Sequence, residues 1–370
     1  MNLSPLARYK KDLQRPDFLF DESQQLAVNK LQSLYESLVA HHMDKTRWIT
    51  RVLNGFSLSS HRVPIRGLYF WGGVGRGKTY LMDNFYESLP FERKMRAHFH
   101  RFMRRVHCDL AELDSEKNPL QIVAKKIAVE ARVICFDEFF VSDITDAMIL
   151  ATLFDDLFKQ GVTLVATSNI IPDGLYKDGL QRARFLPAID LLNRHTEVVN
   201  IDGGTDYRLR SLEQAELYHY PLDEGADKSL YESFYSLVPD KEKISQVFDL
   251  EIEGRVIQAR YHAEDVVWFD FMAVCDGPRS QNDYIELACE YHAVLLSNIP
   301  ELSEKREDQA RRFINLVDEF YDRSVKLIIS ADKPLNSLYS GHRLVFEFER
   351  TVSRLLEMQS HEYLSRPHKP

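Results

Sequence analysis

The sequence predicts an α/β protein: a parallel sheet with flanking helices in the first half, followed by a C-terminal α/β portion. Three observations carry this reading. From Gly67 onward, five short apolar runs alternate with helical patterns. A glycine-rich stretch, "GGVGRGKT", stands where the first of those runs meets a helix. After residue 250, buried-strand runs return with helical patterns between them. Strands separated by helices pair in parallel, since a crossover must bring the chain back to the same end of the sheet, and its helices then cover both faces.

The elements follow in order. In "DESQQLAVNKLQSLYESLVAHH" Leu26, Leu31, Leu34, Leu38 and Val39 recur at helical spacing, an amphipathic lead-in. The strand runs are "GLYFW", "MRAHFH", "RVICFD", "VTLVATSN" and "EVVNID", with helices from about Thr79, through Leu110 and through Phe158. The last of these is well punctuated: Ser142 or Asp143 caps it, Leu150, Leu153, Phe154 and Leu157 form its stripe, and Gly161 stops it. Composition shifts after Gly203-Gly204 to a polar, tyrosine-rich, weakly helical segment. Beyond it, "FDLEIEGRVIQARYH" reads as a hairpin about Gly254, and "VVWFDF", "HAVLLSNIP" and "VKLIISA" as buried strands. The closing stretch "FERTVSRLLEMQSHEYL" reads as a helix.

A chain of 370 residues exceeds what one core fills, so the expected organisation is a helical lead-in at 1–64, a core domain at 65–204 and a C-terminal α/β domain at 205–370. With 44% apolar and 28% charged residues there is ample core-forming material. A net charge of −9 argues against a surface built for the phosphate backbone of nucleic acids. Cys108, Cys135, Cys275 and Cys289 show no metal-ligand or disulfide spacing, which fits a reducing, cytoplasmic setting. No stretch reaches the roughly 18 apolar residues of a membrane span.

Gly72, Gly77, Lys78 and Thr79 satisfy G-x-x-x-x-G-K-[ST] between a strand and a helix, the context the P-loop requires. Consecutive backbone N–H groups must turn inward around phosphates, and glycine permits both the torsions and the close approach. The candidate nucleotide-binding residues are Gly72, Gly73, Val74, Gly75, Arg76, Gly77, Lys78, Thr79 and Tyr80. Lys78 supplies charge to the β- and γ-phosphates, Thr79 offers its hydroxyl to Mg²⁺, and the helix N-terminus adds its dipole. The expected ligands are ATP and Mg²⁺. Asp137 and Glu138 follow the buried run "VICF", at the strand end where α/β sheets bind ligands; Asp137 is the expected metal carboxylate and Glu138 the group that polarises water. Asn169, ending the next strand, is the candidate sensor of the γ-phosphate. Arg182, with Arg184 as the other choice, is the candidate finger for a neighbouring subunit, which implies a homo-oligomer when ATP is bound.

With "GGVGRGKT", "ICFDEF", "TSN" and "GLQRARFLPAI", the chain resembles the AAA+ ATPases. "HFHRFM", "DYR" and "RTVSRLLEMQS" narrow the resemblance to the ZapE-type cell-division and AFG-like ATPases, over nearly the whole length. The resemblance implies Walker A at Gly72 to Thr79, Walker B at Asp137 and Glu138, sensor one at Asn169 and a finger at Arg182. It implies remodelling of protein assemblies, in bacteria the FtsZ ring, with recruitment to the division site. It also places Asp21 or Gln24 near adenine and makes Phe102 and Met103 a pore-loop candidate, against a buried pair. The small helical lid of AAA+ proteins has no counterpart in the strands expected after Asp202, which leaves Arg350 and Arg354 as candidates for a second sensor.

His98, His100 and His107 read as surface histidines rather than metal ligands. The alternative function is a nucleic-acid-linked ATPase of helicase-loader type, for which the basic stretch Arg93–Arg105 speaks. A metabolite kinase would not need Glu138 for water, and no guanine-reading N-K-x-D appears.

Overall fold

The structure, a computed structural model, describes residues 3–15, 18, 20–52, 65–73, 77–113, 116–141, 143–202, 207–238, 241–263 and 265–369. The chain divides into two compact units, 1–205 and 206–370, each with its own sheet. The second half therefore does not extend the first sheet.

In the first unit α1 (Pro5–Asp12) and α2 (Glu22–Val52) precede β1 (Gly67–Trp71), α3 (Lys78–Ser88), β2 (Lys94–His98) and α4 (Phe99–Ala111). Next come α5 (Pro119–Glu130), β3 (Val133–Asp137), α6 (Ile144–Lys159), β4 (Thr163–Ser168), α7 (Leu186–His195) and β5 (Thr196–Asn200). The five strands are the five expected runs. All pair in parallel, in the order β2-β3-β4-β1-β5.

Every residue of β3 and β4 is buried, as an inner parallel strand requires. Alternate residues point into two cores. Val133 and Cys135 join Leu81, Met82 and Phe85 of α3 with Leu31, Leu34 and Leu38 of α2. Ile134 and Phe136 join Phe99, Phe102 and Met103 of α4 and the stripe of α6. The lead-in is thus part of the first core, but its stripe begins at Ala27 and Val28, while Leu26 is exposed.

The α6 stripe Leu150, Leu153, Phe154 and Leu157 is buried, and Asp143 caps the helix by accepting from the N–H groups of Thr145 and Asp146. Ser142 lies outside the described residues. Helix α5 was not among the expected elements, because only Val123, Ala124 and Ile127 mark its buried face.

The second unit begins with α8 (Tyr207–Gln214), β6 (Tyr218–His219), α9 (Ala226–Leu237), β7 (Ser245–Ile252), β8 (Arg255–Ala263) and β9 (Val266–Asp270). It continues with α10 (Phe271–Cys275), α11 (Gln281–Glu290), β10 (Ala293–Ile299), α12 (Glu307–Asp322), β11 (Lys326–Ala331), α13 (Val345–Met358) and α14 (His361–Leu364). The sheet order is β6-β11-β10-β9-β8-β7; β7 and β8 form the expected hairpin, and β9, β10 and β11 run parallel.

Helices α8 and α9, with the short β6 between them, come before the expected hairpin: Leu212 and α9 residues Leu230, Phe234 and Leu237 share a core with Trp268 and Leu295 of this sheet. The closing helix is broken at Ser360, whose hydroxyl caps α14. The pairs β3 beside β4 and β9 beside β10 are both parallel, and the first strand of each ends in aspartate.

Candidate active site

Strand β1 lies between the central strand β4 and the edge strand β5, so the chain leaves Trp71 at the sheet's carboxyl edge beside the end of β4. Gly72 donates its N–H to Ser168 O at 3.3 Å, and a Cβ there would stand 3.1 Å from the backbone nitrogen of Asp202. Gly77 caps α3 with φ of 75°, a left-handed torsion that glycine adopts without strain, and a Cβ would collide with the side-chain amide of Gln24. Val74, Gly75 and Arg76 lie outside the described residues.

Lys78 opens α3, and its Nζ donates to Gly72 O at 2.6 Å, Gly73 O at 2.7 Å and Asn169 Oδ1 at 2.6 Å. Loop, ammonium and the end of β4 are thereby joined. The neighbouring turn is braced as well: Tyr69 donates to Ile170 O at 2.8 Å, Ser168 Oγ donates to Phe139 O at 2.7 Å, and Gly73 N donates to Asp202 Oδ1 at 3.1 Å.

Strand β3 ends in buried Asp137, and half-buried Glu138 follows it. Glu138 has φ of 50°, and its N–H donates to Thr167 Oγ1 at 3.3 Å, so the chain turns sharply where the carboxylate is presented. Such torsions in non-glycine residues concentrate at functional sites. Asp137 accepts from Arg96 Nε at 2.6 Å. Thr79 stands in the first turn of α3, and a hydroxyl with a carboxylate is a hard-oxygen donor set that fits Mg²⁺.

His98 pairs in register with Asp137, and half-buried His100 follows on α4. Burial, reinforced by His98, Arg101 and Arg104 and opposed by Glu138, pushes the His100 imidazolium down to about 3. These two histidines line the strand end instead of the open surface. His107 has an acidic neighbour, Asp146 Oδ1 at 2.6 Å from its Nε2. Among the described residues no group of three His, Cys, Asp or Glu side chains forms a metal cluster.

Several expectations are corrected. The Tyr80 side chain turns to α1: its hydroxyl donates to Asp12 Oδ2 at 2.7 Å and its ring packs on Phe18, so only its backbone remains for a nucleotide. Phe102 and Met103 are core residues, on the buried face of α4, and form no pore loop in this unit. Arg350 and Arg354 are each paired with Asp318 at 2.5 Å, within the second unit's own helices.

Arg182 and Arg184 lie in a 3-10 turn before α7. Arg182 is half-buried and donates to Asp173 O at 2.7 Å, while Arg184 is exposed beside the Met148 sulfur. Gln24, at the start of α2, has its Oε1 buried with no hydrogen-bond partner among the described residues. Sequence reasoning did not find Arg96, Tyr69 or Asp202, whose only signals were an arginine, a tyrosine and an aspartate within or just beyond strand runs.

The chain matches the AFG1-like ATPase family over residues 3–367. It belongs to the AFG1-like ATPases. Among curated members it is 48% identical to the cell division protein ZapE of Escherichia coli (strain K12), over 99% of each chain. It is 36% identical to the lactation elevated protein 1 homolog B of Danio rerio, covering 82% of this chain and 69% of that protein. Among solved structures, domain III of the Thermotoga maritima replication initiation protein DnaA aligns with a TM-score of 0.35 and 16% identity, over 60% of this chain and 78% of that one. No helix among the described residues is long and apolar enough to cross a membrane.

Proposed function

We propose that this AFG1-like ATPase hydrolyses ATP with Mg²⁺ and couples turnover to remodelling protein assemblies, in a bacterial cytoplasm the FtsZ division ring. The observation that carries the reading is the convergence of Lys78, Asn169, Asp137 and Glu138 on one sheet edge, with Lys78 and Asn169 joined by a 2.6 Å hydrogen bond. The kinship with a cell division protein supports the choice of partner.

Backbone amides of the glycine-rich loop and Lys78 bind the phosphates, and Asn169 orients the terminal one. Glu138 accepts a proton from, and aligns, the attacking water. Thr79 and Asp137 would hold Mg²⁺, which would neutralise the phosphate charge. Gln24, against Gly77, is the side chain offered to the base. Arg182 or Arg184 serves a neighbouring copy, and exposed Leu180 and Leu186 beside them suit an interface formed when ATP is bound.

Of the basic stretch that favoured nucleic acid, Arg93 donates to the carbonyls of Ala128 and Val129, Arg96 to Asp137, and Arg105 to Glu130. The protein-remodelling reading is the better supported one. The test is ATP turnover with polymerised FtsZ and, separately, with single-stranded DNA, using Glu138→Gln as the variant that binds without turning over. Stimulation by DNA alone, steeply reduced by salt, would reverse the choice of partner.

A further inference from the structure

The candidate metal carboxylate is one end of a chain of three charged side chains. Arg96, in the middle of β2, donates through Nε to Asp137 Oδ2 at 2.6 Å and through Nη2 to Oδ1 at 3.4 Å, while its Nη1 donates to Asp83. Asp83 lies on α3 four residues after Thr79, one turn along the same face. The side chains of Arg96, Asp83 and Asp137 are 16%, 15% and 9% exposed, so solvent and salt screen them weakly.

A carboxylate already paired with a guanidinium is a poor anchor for a divalent cation, because its charge is neutralised and the guanidinium repels the ion. Asp83 alters that balance. With both carboxylates ionised, the three groups carry one net negative charge, the same as an isolated Asp137. The guanidinium fork also fixes the carboxylate plane and leaves lone pairs on both oxygens for a metal-bound water.

We propose that Arg96 and Asp83 are positioning residues for the divalent cation: Arg96 orients Asp137, and Asp83 cancels the positive charge that this orientation introduces. The proposal rests on the reading of Asp137 as the metal carboxylate.

The test is calorimetric ATP binding in the Glu138→Gln background, with Mg²⁺ and in EDTA. The readout is the ratio of the two affinities, which a general loss of folding does not move selectively. Asp83→Asn is expected to leave the EDTA affinity within about twofold and to lower the ratio by about tenfold, the effect of one unscreened charge on a nearby divalent ion. Asp83→Asn with Arg96→Gln removes both charges and is expected to recover most of the ratio.

An unchanged ratio in Asp83→Asn overturns the proposal, as does a double variant that loses as much as the single one. Should Asp83→Asn fail to bind ATP in EDTA, Arg96→Lys decides: it keeps the charge without the fork and must lower the ratio. An unaltered ratio in Arg96→Lys then sinks the idea. Asp137→Asn separates the two levels, since a ratio unchanged there removes Asp137 as the metal carboxylate, whereas a reduced ratio there with none in Asp83→Asn removes only the roles of Asp83 and Arg96.

Discussion

The ammonium of Lys78 lies 2.6 Å from the amide oxygen of Asn169, so the loop after β1 and the end of β4 share one charge-assisted hydrogen bond. That bond joins the group expected to hold the phosphates to the group expected to sense them.

Asn169→Ala leaves the ammonium its two loop carbonyls. ATP affinity should change by less than about threefold, while turnover falls by about 10² or more, the loss usual for a deleted preorganised dipole. Phosphate release and calorimetry measure the two separately. Equal losses in both would make Asn169 a brace of the loop and not a sensor.

Gly77→Ala places a side chain at φ of 75° and against Gln24. The torsion costs about 1–2 kcal/mol, which predicts a loss of that size in folding stability, read by denaturant melts. Adding Gln24→Ala should recover the steric share and leave the torsional one. Full recovery in the double variant would show that space alone selects glycine here.

Alanine at the true finger, Arg182 or Arg184, should abolish turnover and, mixed with wild-type chains, should depress activity more than dilution does. The other variant should remain active. A wild type that is monomeric at full activity in ATP would remove the role from both.

His100 titrates far below the ordinary histidine range, so between about pH 3 and 6.5 the unfolded chain binds a proton that the folded chain does not. Stability then rises with pH across that window and His100 gives no slope above it. His100→Asn should flatten the acid side of a stability profile followed by denaturant melts. An unchanged acid slope would show that the imidazole is not held neutral by its surroundings.

Much of the first unit was legible. The strand ends before Gly72, Asp137 and Asn169 follow from apolar runs of four to six residues bounded by polar or glycine positions, which are local signals. The α6 boundaries were legible for the same reason, through Asp143 and the apolar stripe. Helix α5 escaped because its buried face is marked by only three residues. The His107 pairing was not legible because Asp146 is 39 positions away, and the Tyr80 hydroxyl reaches Asp12 across 68. Phe102 and Met103 showed the apolar character of either a grip or a core, and only packing against Phe136 distinguishes these.

From its sequence alone this chain reads as a P-loop protein, with Lys78 and Thr79 expected in the phosphate loop and Asp137 and Glu138 at a strand end, since backbone torsion and spacing are encoded within a few residues. Tertiary structure alone decided which charges meet. The order β2-β3-β4-β1-β5 sets Arg96 beside Asp137 and brings Asn169 to a lysine 91 positions earlier. Pairings over such separations depend on strand order and helix packing, which no local pattern specifies.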